Sequence, residues 1–211
     1  MLRSAGLPVL LLLATASVSF ALPSAVVNVP STDTHIEKAF HLDIDNNVAL
    51  GEPEKFVNDF SAFGLSYGLG RGLEVGLDVL SGVDHPFFLN AKYAFPLCSR
   101  SDAWRMAIGG YAFGIDSEPS LDVWYGVMSY DFGRDRIHAG FFTGNDDLLR
   151  NPFTGSDESS GLLLAWDRPL DDKWWVGVDY VAGESTLGAL NAGVRYAVSG
   201  DSAVLLGVDL W

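Results

Sequence analysis

The 211-residue chain has a single cysteine, Cys98, so it cannot form an intramolecular disulfide. Positive charge is also scarce, because 27 Asp and Glu outnumber 13 Lys and Arg and leave a formal net charge of −14. A chain this acidic, with no basic cluster and no Walker-type glycine loop, is not expected to bind nucleic acid. Its four histidines are scattered without His-x-His or Cys-x-x-Cys spacing, so we predict neither a metal site nor another cofactor.

Long apolar runs are missing everywhere except near the start of the chain. Residues 1–21 combine a positive charge at Arg3, a short apolar run, and small residues at Ser19 and Ala21. This order is typical of a secretory signal peptide cleaved after Ala21, because the run is short for a membrane anchor of about 20 residues. We therefore predict export, and the loss of Arg3 would bring the formal charge to −15.

The rest of the chain alternates short runs of period two with turn-forming residues, and no segment has a convincing helical pattern. The predicted strands are 34–45, 58–69, 73–80, 86–95, 104–115, 121–131, 136–144, 161–167, 174–182, 189–197 and 202–210. Only the connections 46–57 and 145–160 are long. This pattern predicts an all-β domain over residues 34–211, a single antiparallel up-and-down transmembrane β-barrel of about 10–12 strands. The N-terminal segment 22–33 precedes it, and within this segment 25–30 is a candidate for a short twelfth strand.

The two faces of the predicted strands differ in composition. One face carries large apolar side chains at alternate positions, as in the strand 73–80. The other face carries charges and mid-strand glycines: Gly64, Gly68, Gly76, Gly109, Gly126, Gly140, Gly177, Gly193 and Gly207. Glycine offers nothing to a solvated surface but relieves crowding inside a narrow barrel. We therefore predict an apolar face turned to lipid and a polar lumen, with Tyr and Trp girdles near the strand ends.

The charged and amide side chains of the glycine-bearing face form the predicted lumen lining. They are Glu74, Asp78, Lys92, Arg105, Asp122, His138, Asp179, Asn191, Arg195 and Asp209. In one interpretation, four carboxylates near one mouth favour cations in a conducting path: those of Asp78, Asp122, Asp179 and Asp209. In the other, the charges neutralise each other in a closed interior. We expect the closed interior, because about ten to twelve strands enclose little more space than the eight-stranded barrels that side chains fill.

Catalysis has only one candidate set of residues, His138 and Ser129 with Asp122 or Asn191 as the orienting group. No motif joins these residues, so we do not predict an enzyme, and an outer-membrane lipid hydrolase is the least favoured reading. A stronger alternative is a soluble exported β-barrel with the same apolar face turned inward around a small apolar ligand.

Four repeated strands carry a resemblance to a known class: GLEVGLDVLSG (72–82), NAKYAF (90–95), WVGVDYVAG (175–183) and LNAGVRYAV (190–198). Together with the terminal aromatic Trp211, they resemble small, functionally uncharacterised outer-membrane β-barrel proteins of Gram-negative bacteria. The resemblance implies insertion into the outer membrane by the assembly machinery and a structural or porin-like role in passing small solutes or ions.

The class also has features that this chain meets only in part. Its C-terminal aromatic follows apolar residues at alternate positions, whereas Trp211 is in phase with Asp209 and Gly207. Both termini of such barrels face the periplasm, and we adopt this orientation for the C-terminus. The strand count then places the long acidic loop 145–160 on the same side.

Overall fold

The computed structural model describes residues 24–47, 60–98, 101–151 and 154–210, and these form one all-β sheet of eleven strands. The strands are β1 (Phe40–Asn47), β2 (Phe60–Gly70), β3 (Leu73–Leu80), β4 (Phe87–Cys98), β5 (Ser101–Gly114), β6 (Val123–Phe132), β7 (Asp135–Thr143), β8 (Ser160–Pro169), β9 (Trp174–Val181), β10 (Ala189–Ala197) and β11 (Ala203–Leu210). None of the described residues belongs to a helix that is long and apolar enough to cross a membrane.

Each strand pairs antiparallel with its neighbours in sequence, which gives an up-and-down sheet with the order β1 to β11. This confirms the eleven predicted strands, most of them to within two or three residues. Two details of the prediction are wrong: β1 begins at Phe40 instead of residue 34, and residues 25–30 form no strand. Residues 25–30 instead make a turn that is closed by a bridge between Ala25 and Pro30, which brings the two ends of this stretch together.

Side chains alternate between two faces, which we call the outer and the inner face. The outer face carries exposed large apolar residues on every strand, from Phe40 in β1 to Leu206 in β11. The inner face carries the buried polar groups and most of the predicted glycines. Gly126 is an exception, because the buried Tyr125 and Val127 on either side of it place Gly126 on the outer face.

The sheet is strongly curled around its inner face. Ser24 Oγ donates to Glu74 Oε2 in β3 over 2.9 Å, and a Cβ atom at Gly207 in β11 would lie 3.6 Å from Val27 Cγ1. Three residues of chain span at most about 11 Å. In a flat sheet, β3 and β11 would be about 38 Å apart at a strand spacing of about 4.8 Å. The inner faces of these strands must therefore approach each other, although the described residues of β1 and β11 form no pair.

The two ends of the sheet differ in their connections. Among the described residues, short links lie at the end where β1 begins: 71–72, 133–134, 170–173 and 198–202. Longer links lie at the other end: 81–86, 115–122, 182–188 and the described parts of 144–159. Because the strand number is odd, β11 ends beside the longer links, as the sequence predicted for the loop 145–160. The predicted signal peptide 1–21, Trp211 and most of the predicted loop 46–57 lie outside the described residues.

Candidate functional site: a charged inner face bound to the N-terminal segment

Residues 24–38, which we call the N-terminal segment, lie against the inner face of the curled sheet. Its hydrogen bonds and ion pairs reach side chains of β3, β4, β5, β6, β7 and β9. Val26, Val29 and Thr32 are buried, and Val27 packs toward Gly193 and Gly207. One short stretch of chain thus fills the space that the predicted lumen would occupy.

Asp179 in β9 is the first anchor of this segment. Its Oδ2 accepts hydrogen bonds from the backbone N–H groups of Val27, Asn28 and Val29, at 2.7, 2.8 and 2.8 Å. Its Oδ1 accepts a bond from Asn191 Nδ2 at 2.7 Å. The Asp179 side chain is buried, so these bonds replace the water that an ionised carboxylate would otherwise bind. The tight turn of the segment makes this possible because it turns three successive N–H groups toward one oxygen.

A second anchor lies on β3 and β4. Glu74 Oε2 accepts bonds from Ser24 Oγ at 2.9 Å and from the backbone N–H of His35 at 2.8 Å. Lys92 is fully buried, lies 3.9 Å from Glu74 Oε1, and donates to the carbonyl oxygen of Ser24 at 3.0 Å. Both ends of the N-terminal segment are therefore held by the same ion pair.

Arg136 in β7 forms the third anchor, since it bridges the segment and the sheet. Its guanidinium donates to Asp33 of the segment at 2.8 Å and, through Nε and Nη2, to Asp167 of β8 at 2.9 and 3.1 Å. Arg105 adds a 3.2 Å contact to Asp33. Burial opposes ionisation of Asp33, but the hydrogen bond and positive charge of Arg136, helped by Arg105, hold the Asp33 pKa below its usual value.

The hydrolase candidates are brought together only in part. Ser129 and His138 are directly opposite each other in β6 and β7, and His138 Nε2 lies 3.0 Å from Asp167 Oδ1. The carboxylate next to His138 is thus Asp167, which the sequence did not single out, and not Asp122. Ser129 Oγ is bonded to Thr32 Oγ1 at 2.6 Å, and Ser129, His138 and Asp167 are only 1%, 3% and 3% exposed. A substrate has no access to this hydroxyl while the N-terminal segment is in place.

The other predicted lumen residues lie in different surroundings. Six members of the set are buried on the inner face: Glu74, Asp78, Lys92, His138, Asp179 and Asn191. Arg105 and Asp209 are partly buried. Arg195 is more exposed, with its guanidinium 5.4 Å from the ring centre of Trp175. Asp122 precedes β6 and accepts a 2.6 Å bond from Ser120.

These positions bear on the two interpretations of the lumen charges. Asp78 accepts a 2.8 Å bond from Asn90, and Asp179 is bonded to the N-terminal segment. Neither carboxylate is left to water or to a passing ion. The partners of these two carboxylates are therefore amide side chains and, at Asp179, backbone N–H groups of the N-terminal segment.

The sequence did not predict three residues that hold the N-terminal segment. They are Asp33, Asp167 and Arg136, which binds both of these carboxylates. Asp33 lies in a stretch without a period, so no pattern places it near β7. Asp167 ends the predicted strand 161–167 on the same face as Leu163 and Ala165, and this alternation was the one available signal.

The end with longer links is covered by the loop 144–159. Leu149 of this loop is fully buried. The backbone N–H of Asn145 donates to Leu121 O at 2.9 Å, and the N–H of Thr186 donates to Arg150 O at 3.1 Å. The loop is therefore bonded to both neighbouring links and lies over this end of the interior.

Comparison of the chain with protein-family models, with curated proteins and with solved structures gave no match. Among the described residues, no group of three or more His, Cys, Asp or Glu side chains is arranged to hold a metal ion. The features of the molecule that bear on function are therefore the sheet, its two faces and the N-terminal segment.

Proposed function

We propose that the chain is an exported outer-membrane β-barrel protein whose interior is closed by its own N-terminal segment. The observation that carries this proposal is the exposed apolar outer face, which continues across all eleven strands. A soluble protein rarely exposes a continuous apolar patch larger than a few hundred Å². Lipid is the solvent that such a face matches, and the inner face buries Glu74, Lys92 and Asp179 beside its apolar side chains, which a purely apolar soluble core would not.

The closed state is supported by the contacts of the interior. The N-terminal segment is anchored at Asp179, at the Glu74–Lys92 pair and at Arg136, and the loop 144–159 covers one end. Each anchor satisfies charges that would otherwise be buried without partners. The protein then acts as a structural element of the membrane and not as an open pore. The soluble ligand-binding alternative requires an apolar interior, and the polar anchors argue against it.

Barrel closure would require contact between β1 and β11. Both run in the same direction, so they would close as one parallel pair, as odd-stranded barrels do. The most exposed apolar side chains within the strands support such a closure, because Phe40 and Leu206, at 72% and 74% exposure, lie on these two edge strands. An unpaired edge is also a template for aggregation, which closure would remove.

Membrane integration and closure can be tested on the purified full-length protein. We expect it to resist carbonate extraction from the outer-membrane fraction and to migrate faster on a denaturing gel when the sample is not boiled. In planar bilayers we expect no conductance or a very small one. Recovery in the soluble periplasmic fraction would overturn the membrane location, and a large, stable conductance would overturn the closed interior.

A further inference from the structure

The outer face contains a groove with a volume of about 560 Å³ that crosses the strands from β5 to β10. Its lining includes Ala139, whose direct neighbours across the sheet are Met128 and Leu164. The small methyl group of Ala139 leaves a gap between these two longer side chains. A smooth lipid-facing surface would not need this gap.

The walls of the groove are two adjacent cross-strand rows. One row contains Met128, Leu164 and Tyr180, and the other contains Tyr130 and Trp166. Five strand spacings of about 4.8 Å give the groove a length of about 24 Å. An extended acyl chain advances about 1.3 Å per carbon, so a chain of 16 carbons, about 21 Å long, fits within this length.

Two guanidinium groups lie just beyond the row that contains Trp166. Arg168 follows Trp166 by two residues on the same face of β8, and Arg134 is exposed in the β6–β7 turn. Asp135 binds both Trp166 Nε1, at 3.0 Å, and Arg168 Nη1, at 3.2 Å. Arg134 Nη2 donates to Leu170 O at 2.6 Å. Tyr and Trp rings followed by cations are the arrangement expected where the hydrocarbon of a bilayer meets its headgroups.

We propose that this groove is a specific site for one anionic glycerophospholipid. One acyl chain lies between the two rows, where the short side chain of Ala139 leaves room, and the headgroup phosphate is bound by Arg134 and Arg168. A guanidinium suits this role because its planar N–H groups bind phosphate oxygens in pairs. Among the described contacts, Arg168 donates through Nη1 alone, to Asp135. The inference rests on the proposed membrane location of the outer face.

The test uses the full chain in detergent micelles, titrated with dipalmitoyl phosphatidylglycerol and followed by native mass spectrometry. We expect one tightly retained lipid, and Ala139→Phe should weaken its binding at least about tenfold by filling the groove. Ala91→Phe is the matched control, since Ala91 is an exposed outer-face alanine on β4, outside the groove. This control should change the binding by less than about twofold.

The phosphate contact is tested separately. Dipalmitoylglycerol has the same chains without phosphate, and we expect it to bind at least about tenfold more weakly than the phospholipid. The double variant Arg134→Gln and Arg168→Gln should abolish that difference. Equal binding to wild type and Ala139→Phe, or equal binding of the two lipids to wild type, would overturn the site.

A gel-shift measurement on each variant confirms that it is folded and keeps the outcomes distinct. A protein that integrates into vesicles but fails both lipid comparisons contradicts the groove site alone. A protein that does not integrate contradicts the membrane location, and with it the groove site.

Discussion

The outer and inner faces of the same sheet have opposite chemistry, and the difference indicates how the protein is stabilised. On β3, Leu73 and Val75 are exposed, whereas Glu74 and Asp78 between and beyond them are buried. In a water-soluble barrel the burial of apolar area would drive folding. Here the inner face buries charges beside its apolar side chains, and those charges stabilise the fold only when their partners are in place. The N-terminal segment supplies those partners. The inner face is therefore stabilised by specific hydrogen bonds and ion pairs, whereas the outer face is stabilised by the solvent that it contacts.

The largest effect is expected from removing the anchor at Asp179. Asp179→Ala deprives three backbone N–H groups of their acceptor inside the sheet. Hydrogen bonds to a charged group contribute about 1.5–3 kcal/mol each, so we expect a loss of at least about 3 kcal/mol in the free energy of unfolding. Limited proteolysis should then cut within residues 24–38. Asp201→Ala, in an exposed turn, is the control and should leave proteolysis unchanged; the same resistance in both variants would contradict the anchor.

A cation on the outer face tests the other half of the comparison. Leu77→Arg should impair assembly, because a cation at the lipid face of a barrel costs roughly 2–4 kcal/mol near the bilayer midplane. Leu77→Met is the control and should assemble normally. The measurement is the fraction of faster-migrating, folded protein in unboiled samples. If Leu77→Arg folds as well as the control in lipid vesicles, the outer face is not in contact with hydrocarbon.

Gly76, next to Leu77 on β3, tolerates a larger side chain less well than its small size suggests. A Cβ atom at Gly76 would lie 2.6 Å from Asn90 Oδ1, and Asn90 is bonded to Asp78. Gly76→Ala therefore requires Asn90 to move, and we expect a loss of folded fraction smaller than that of Leu77→Arg. The same gel assay orders the two variants, and a reversed order would mean that the inner face is more demanding than the outer one.

The Asp33 contact makes part of the stability depend on pH. Because the pKa of Asp33 is lowered in the folded state, its contribution is fully present above the unfolded value of about 3.9 and is lost as the pH falls through the lowered value. Wild type should be more stable than Asp33→Asn at pH 7, and the difference should shrink below about pH 4. Urea unfolding at both pH values measures this. A constant difference would indicate that Asp33 does not act through its charge.

The strands and their faces could be predicted because alternation and turn residues are local signals. Glu74, Lys92 and Asp179 were identified in this way, since each occupies the inner position of a regular strand. Their actual partners could not be predicted, because the N-terminal segment reaches β9 from more than 140 residues away in sequence. No period connects Asp33 to Arg136. Asp167 was also overlooked as the carboxylate beside His138. The alternation of β8 places it on the inner face, but nothing in the sequence shows that it contacts His138.

The smallest effect is expected at Ser129. Ser129→Ala removes one buried hydroxyl bond to Thr32, which contributes about 1 kcal/mol to the free energy of unfolding. A fluorophosphonate probe should not label the wild-type protein, because the N-terminal segment occupies the hydroxyl. Labelling that disappears in Ser129→Ala would instead indicate an active serine hydrolase.

The most direct measurement of the central claim compares two tryptophans on opposite faces of the sheet. Trp124 is an exposed outer-face residue of β6, whereas Trp175 lies on the inner face and donates to Asp167 Oδ2 at 2.8 Å. Single-tryptophan variants reconstituted in vesicles can be titrated with lipids brominated at several depths. We predict that the lipids quench the fluorescence of Trp124 strongly and leave that of Trp175 nearly unchanged. Equal quenching of both residues, or quenching of Trp175 alone, would contradict a sheet with its apolar face in lipid and its charged face closed inside.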